Sequence, residues 1–318
     1  MSRTISTAML LAAGMGARLR PLTNLRPKAL VSVLNKPIIE VWLEKLTKMG
    51  VEKIVVNAHY LAAQLLFYLE KKSRHFPKTK IIALHERQRL LGTGGALKNA
   101  ASLLTEPFFL INVDIYTDLD LNLLASYHFD HPGAPATLAL VNRPDKASVS
   151  LGSGKEILAF RSKINVDGES EKLCGAGLMV VAPRVVKDLP SGESDIIEGL
   201  NHNIIKGDRP IGYKALDCYW RDIGTVEQYY SLNRDLALNK QIIESKEGLE
   251  GRFEGFAVVE RGARSARGSI VRDSVLWAEC NLAPGAFVNQ AVVAATVKSA
   301  VSIIGGAAVD EGGVSRSN

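Results

Sequence analysis

The chain has 318 residues, 47% hydrophobic and 23% charged, with a formal net charge of +6 at pH 7. That composition belongs to a globular protein with an ample core, in one large domain with an appendage or in two domains. It excludes a membrane span, since no apolar run approaches about 18 residues, and without aromatic-basic interleaving it argues against nucleic acid as the partner.

The first apolar run leads straight into glycines, with no signal-peptide pattern, so a cytoplasmic location is expected. Cys174, Cys218 and Cys280 are far apart and odd in number, which predicts reduced thiols rather than a zinc or redox site.

Residues 5–13 read as a buried strand. It stops at Gly14-Met15-Gly16, and Arg18, Arg20 and Lys28 follow. A strand that ends at closely spaced glycines lets backbone N–H groups approach a ligand, and nearby cations would complete a phosphate cradle. A strand, a turn and a solvated basic patch would give the same pattern. Neither G-x-x-x-x-G-K-[ST] nor the third glycine of G-x-G-x-x-G is present, since position 19 is Leu19.

Pro37 to Met49 has helical spacing, 53–57 is a short apolar strand, 61–72 a helix and 80–84 a strand. Gly92-Thr93-Gly94-Gly95 opens a helix. Residues 107–112 form a strong strand that ends at Val113-Asp114. A helix over 121–130 and a strand over 135–142 follow, then a polar stretch, 143–173, in which strands are hard to place. Helices are expected over 183–189 and 195–205, a strand over 211–217, and a helix after Thr225, which is placed as its N-cap. This alternation implies an open, mostly parallel, Rossmann-like α/β sheet flanked by helices, with ligands beyond the carboxyl ends of the strands.

From about residue 250 the pattern changes. Ile270, Leu276, Leu282 and Val288 recur every six residues, with Ser274, Cys280, Ala286 and Val292 four residues after each. Val297, Ile303 and Val309 continue the period after a slip. This predicts a short hexapeptide-repeat tail folded as a left-handed β-helix over 250–318, after a larger α/β domain over 1–240. So few coils cannot cover their own ends, so self-association into a homo-oligomer is expected.

Four stretches resemble the sugar-1-phosphate nucleotidyltransferases. They are Leu11-Ala12-Ala13-Gly14-Met15-Gly16-Ala17-Arg18-Leu19-Arg20-Pro21-Leu22-Thr23 with Arg26-Pro27-Lys28-Ala29-Leu30, then Leu91-Gly92-Thr93-Gly94-Gly95, Val113-Asp114, and Trp220-Arg221-Asp222-Ile223-Gly224-Thr225. Ala29 stands where the family usually has proline, and Val113 where it usually has glycine. The resemblance implies an enzyme that joins an NTP and a sugar 1-phosphate into an NDP-sugar and pyrophosphate. It implies nucleotide binding by Leu11, Ala12, Ala13, Gly14, Met15, Gly16, Gly92, Thr93 and Gly94. Arg18 and Lys28 would hold phosphates, Asp114 and Asp222 would bind Mg²⁺, and Lys163 and Gly175 would contact the sugar phosphate. GTP with mannose 1-phosphate is the first substrate pair it suggests. UTP or dTTP with glucose 1-phosphate, UTP with N-acetylmuramic acid 1-phosphate, and a non-catalytic, nucleotide-sugar-binding regulatory subunit are the alternatives.

Overall fold

Thr7–Leu11 (β1) is the strand on which the rest of the first sheet is laid. A computed structural model describes residues 4–161, 166–310 and 313–315. The chain forms two units: the first runs to Gly14 and from Trp42 to Trp220, the second from Met15 to Val41 and from Arg221 onward.

In the first unit β1 lies between two parallel partners, Lys53–Ala58 (β2) and Phe108–Asn112 (β4), with Lys80–His85 (β3) beyond β2. The register places Leu11 opposite both Asn57 and Asn112, so three strands finish together at their carboxyl ends. The other half of the sheet is built from Ala136–Val141 (β5), Val149–Leu151 (β6), Ile157–Phe160 (β7), Glu171–Val181 (β8) and Ile211–Lys214 (β9). The long strand β8 runs antiparallel to β4, β5 and β6, while β9 is parallel to β5. The sheet order is β7-β6-β8-β4-β1-β2-β3, with β5 also beside β8. The polar stretch therefore holds two short strands, VSL and ILAF, which at three and four residues are too short to stand out among polar neighbours.

Met9, Val55, Phe108, Leu110 and Leu138 pack with Leu97 and Leu200 of the helices Gly92–Asn99 (α3) and Ile196–Ile205 (α6). Continuous apolar runs such as FFLIN suit strands buried on both faces. Among the described residues, no helix is long and apolar enough to cross a membrane.

The second unit contains the glycine-loop segment, a small hairpin at Ser32–Val33 and Lys36–Pro37, the helix Val226–Ala237 (α7) and a stack of short parallel strands. In that stack Val259, Leu276, Val293 and Ala308 stand in one column, Val271, Val288 and Ile303 in a second, and Ser265, Leu282 and Val297 in a third. These residues are buried, and their apolar members form one core with Cys280 and Ala286. The arrangement is that of a β-helix, as the hexad pattern predicts for Leu276, Leu282 and Val288. It departs from the expected phase at two residues, Ile270 and Val309; Ala308 takes the core position beside Val309. Val271, not Ile270, is the fully buried member, because its equivalent Val288 lies 17 positions on and not three whole hexads, and the next coil is shorter still at 15. The last parallel strand, Ala307–Asp310, is paired with the antiparallel strand Gly313–Ser315.

Candidate active site

The carboxyl end of β1 is tied down by a buried polar relay. The Ala12 N–H donates to Asn57 Oδ1 at 2.8 Å, Asn57 Nδ2 donates to Glu86 Oε1 at 2.7 Å, and Glu86 Oε2 accepts from the Leu91 N–H at 2.9 Å. Asn57 and Glu86 are only 3% and 4% exposed. The relay joins the first glycine loop to the start of α3, the two stretches expected to meet the nucleotide. Sequence reasoning missed both side chains. Their only signal is a polar residue ending the apolar run KIVVN and an acidic one just past the next strand.

The α3 start is shaped by close backbone approach. Gly92 has φ +71°, and a Cβ there would stand 2.5 Å from the Ser194 carbonyl oxygen. The Gly94 N–H donates to that same oxygen at 2.8 Å. Thr93 is drawn into the cap of α6: its hydroxyl donates to Asp195 Oδ1 at 3.0 Å and accepts from the Ile196 N–H at 3.0 Å. Asp195 also caps the Ile197 N–H and pairs with Arg161 at 2.6 Å. Burial raises the Asp195 carboxyl, but bonds from Ile197, Arg161 and Thr93 outweigh it and hold the group below its ordinary range.

Leu11, Thr93, Asn112, Arg161, Gly175 and Asp195 line one cavity of about 220 Å³ in this unit. Leu11, Thr93 and Gly175, singled out in three separate stretches of the sequence, thus line the same cavity. Gly177 has φ +74°, with a notional Cβ 3.0 Å from Asn112 Nδ2, and Trp220 Nε1 donates to the Ala176 carbonyl oxygen at 2.9 Å. These contacts press the bulged part of β8 against the end of β4. Asp114, half-buried, follows at the turn after β4, where the Val113 N–H donates to the Leu11 carbonyl oxygen at 3.2 Å. Lys163 lies outside the described residues.

In the second unit Gly16 has φ +61°, and a Cβ there would meet Thr23 Cγ2 at 2.7 Å and Lys28 Cβ at 3.5 Å. Thr23 Oγ1 donates to the Gly16 carbonyl oxygen at 2.9 Å, closing the turn. Glycine is required here by conformation and by space. Arg18 is exposed on the turn Ala17–Leu19, and Lys28 is half-buried at the start of the turn Lys28–Leu30. A Cβ on Gly224 would lie 3.3 Å from Arg18 Nη2 and 3.3 Å from Asp222 Oδ2. A guanidinium and a carboxylate therefore converge over a residue with no side chain. Gln228 Nε2 donates to Asp222 Oδ1 at 3.2 Å, and Thr225 caps α7 by accepting from the Gln228 N–H, as expected.

Among the described residues, no three His, Cys, Asp or Glu side chains gather as a metal site. Asp114 in the first unit and Asp222 in the second each present a carboxylate, a hard oxygen donor of the kind Mg²⁺ accepts.

Residues 7–239 match the nucleotidyl transferase family. The chain belongs to that family. Its relatives include the N-acetylmuramate alpha-1-phosphate uridylyltransferase of Caulobacter vibrioides, 34% identical across 62% of this chain and 84% of that one. The UTP–glucose-1-phosphate uridylyltransferase of a Synechocystis species is 29% identical across 90% and 82%. The mannose-1-phosphate guanylyltransferase catalytic subunit beta of Dictyostelium discoideum is 30% identical across 70% and 62%. Solved structures share the fold at 20% identity, among them a UDP-glucose pyrophosphorylase complexed with UDP-glucose, with TM-score 0.62 over 74% of this chain and all of that one. The nucleotidyl transferase family thus extends over the first unit, the glycine loop and α7, and ends before the β-helix.

Proposed function

We propose that this nucleotidyltransferase joins an NTP and a sugar 1-phosphate into an NDP-sugar, releasing pyrophosphate. The match over residues 7–239 carries the reading, and the convergence of Arg18 and Asp222 on Gly224 supports it. A sugar-phosphate oxygen attacks the α-phosphorus, and the bond to the β-phosphate oxygen breaks. That nucleophile is already anionic, so the residues position and neutralise rather than remove a proton. Arg18 neutralises the β- and γ-phosphates and the departing pyrophosphate. Lys28 holds phosphate at the reacting centre. Asp114 and Asp222 would hold Mg²⁺, which would supply charge neutralisation between nucleotide and sugar phosphate. The loop from Leu11 to Gly16 and the turn from Gly92 to Gly94 would take the nucleotide, with Gly175 and Lys163 on the sugar side. The catalytic part is read as 1–240, with 250–318 as an appended β-helix.

Uridine is the favoured base, because the chain spans 84% and 82% of the two uridylyltransferase relatives but 62% of the guanylyltransferase one. Glucose 1-phosphate and N-acetylmuramate 1-phosphate are the first acceptors to try. GTP with mannose 1-phosphate is the second reading, supported by the guanylyltransferase relatives. The reverse reaction tests it: UDP-glucose or UDP-N-acetylmuramate incubated with pyrophosphate should yield UTP, whereas GDP-mannose turned over faster than both would establish the second reading. The β-helix leaves Val301 and Ile304 exposed at 43% and 55%. We read that edge as a contact between copies; light scattering at the monomer mass of 34.5 kDa would rule the homo-oligomer out.

A further inference from the structure

Arg26 stands in the sequence only as part of the Arg26-Pro27-Lys28-Ala29-Leu30 stretch, with no role of its own. In the fold its side chain is 15% exposed and is held wholly by the C-terminal β-helix. Arg26 Nη1 donates to Glu260 Oε1 at 3.0 Å and to Oε2 at 3.1 Å, and Nη2 donates to Glu279 at 2.9 Å. The guanidinium lies 4.0 Å from the ring centroid of Trp277, which is fully buried. Glu260 is itself fixed, 9% exposed in its side chain and accepting from the Ala278 N–H at 3.0 Å. Trp277 Nε1 donates to Tyr229 Oη at 2.9 Å, and Tyr229 Oη donates to the Ser32 carbonyl oxygen at 2.7 Å. Farther along, the Leu34 N–H donates to Asn233 Oδ1 at 2.9 Å, and Asn35 Nδ2 donates to the Val259 carbonyl oxygen at 3.0 Å.

The segment from 26 to 35 is therefore strapped at both ends, and Lys28 lies between the straps. Pro27, with φ −63°, is a stiff link between Arg26 and Lys28. The Leu30 N–H donates to the Pro27 carbonyl oxygen at 2.8 Å, so the turn carrying Lys28 begins at that proline. A displacement of the Arg26 guanidinium is passed to Lys28 over two residues with little slack. A bidentate arginine–carboxylate pair supplies direction as well as attraction.

We propose that Glu260 and Trp277 are positioning residues for Lys28, acting through Arg26, so that the β-helix forms part of the phosphate-binding apparatus. The proposal rests on Lys28 contacting phosphate, as in the function above. It assigns a role to residues beyond the part of the chain that matches the family.

The test is a double-mutant cycle in the full-length protein, read as pyrophosphate release. Glu260→Gln keeps the acceptor for Ala278 but removes the charge facing Arg26. It should lower kcat/KM for the NTP about 10- to 100-fold with the fold intact by circular dichroism. In a Lys28→Gln background the same change should cost less than about twofold, because the group it positions is gone. Should Glu260→Gln fail to fold, Trp277→Phe enters the same cycle. Effects that multiply, or a Glu260→Gln enzyme with wild-type kinetics, would overturn the positioning role while leaving the Lys28 assignment standing. A fully active Lys28→Gln enzyme would remove the phosphate role of Lys28 and the positioning proposal together.

Discussion

Asn57→Asp is the substitution that bears most directly on the buried relay. The new side chain has the same shape and still accepts from the Ala12 N–H. On its other arm, the amide that donates to Glu86 Oε1 at 2.7 Å becomes a second carboxylate oxygen. Two unit charges about 4 Å apart at an effective dielectric near 20 repel by about 4 kcal/mol. Both positions are nearly excluded from water, which limits screening. Each kcal/mol moves the midpoint of a domain of roughly 150–250 residues by about 2–4 °C, so a fall of roughly 8–16 °C is expected at pH 8. Asn57→Ala removes two hydrogen bonds but adds no charge, and should be milder at about 1–3 kcal/mol. Activity should follow, because the Ala12 and Leu91 loops lose their common anchor. Thermal unfolding by fluorescence and pyrophosphate release from one preparation provide both readings. An Asn57→Asp protein that melts with the wild type, or above Asn57→Ala, would refute the relay.

Asp222→Asn should cut turnover about 100-fold or more with the melting temperature nearly unchanged, since it removes a ligand charge and keeps the shape; full activity at saturating Mg²⁺ would disprove the metal role. Arg18→Ala should harm the reaction far more than Arg20→Ala, because Arg18 converges with Asp222 on Gly224, and equal losses measured as kcat/KM would displace the phosphate site. Burial, aided by the charges of Arg184 and His131, holds His128 down to about 4. Its folded value lies below the unfolded one, so its contribution to stability is complete above about pH 6.5 and is lost as pH falls toward 4. His128→Gln should flatten that part of the profile, and melting curves of the two proteins that stay parallel from pH 7.5 to 5 would contradict it.

The strands and helices of the first unit are legible because each is a run of apolar residues with its own period and a glycine, proline or cap at its edge. β1, β2 and β4 are each expected to within two residues or fewer. β6 and β7 are not, because such short segments take their stability from pairing, β7 with β6 and β6 with β8, rather than from local pattern. The motifs single out Arg18 and Asp222, which the fold brings to the same glycine, Gly224, because both belong to short, ordered stretches. They cannot find Asn57 and Glu86, single polar residues whose meaning comes from burial. Nor can they find the role of Arg26, whose partners Glu260 and Glu279 are 234 and 253 residues away. The hexads reveal the β-helix, but the placement of Ile270 fails because the 17-residue coil shifts the period by one.

The central claim is tested most directly by one screen of the purified full-length protein. ATP, CTP, GTP, UTP and dTTP are each paired with glucose, mannose and N-acetylmuramate 1-phosphates, with Mg²⁺, and pyrophosphate release is followed. Release should require both substrates and be fastest with UTP. No release above the enzyme-free rate from any pair would contradict the claim.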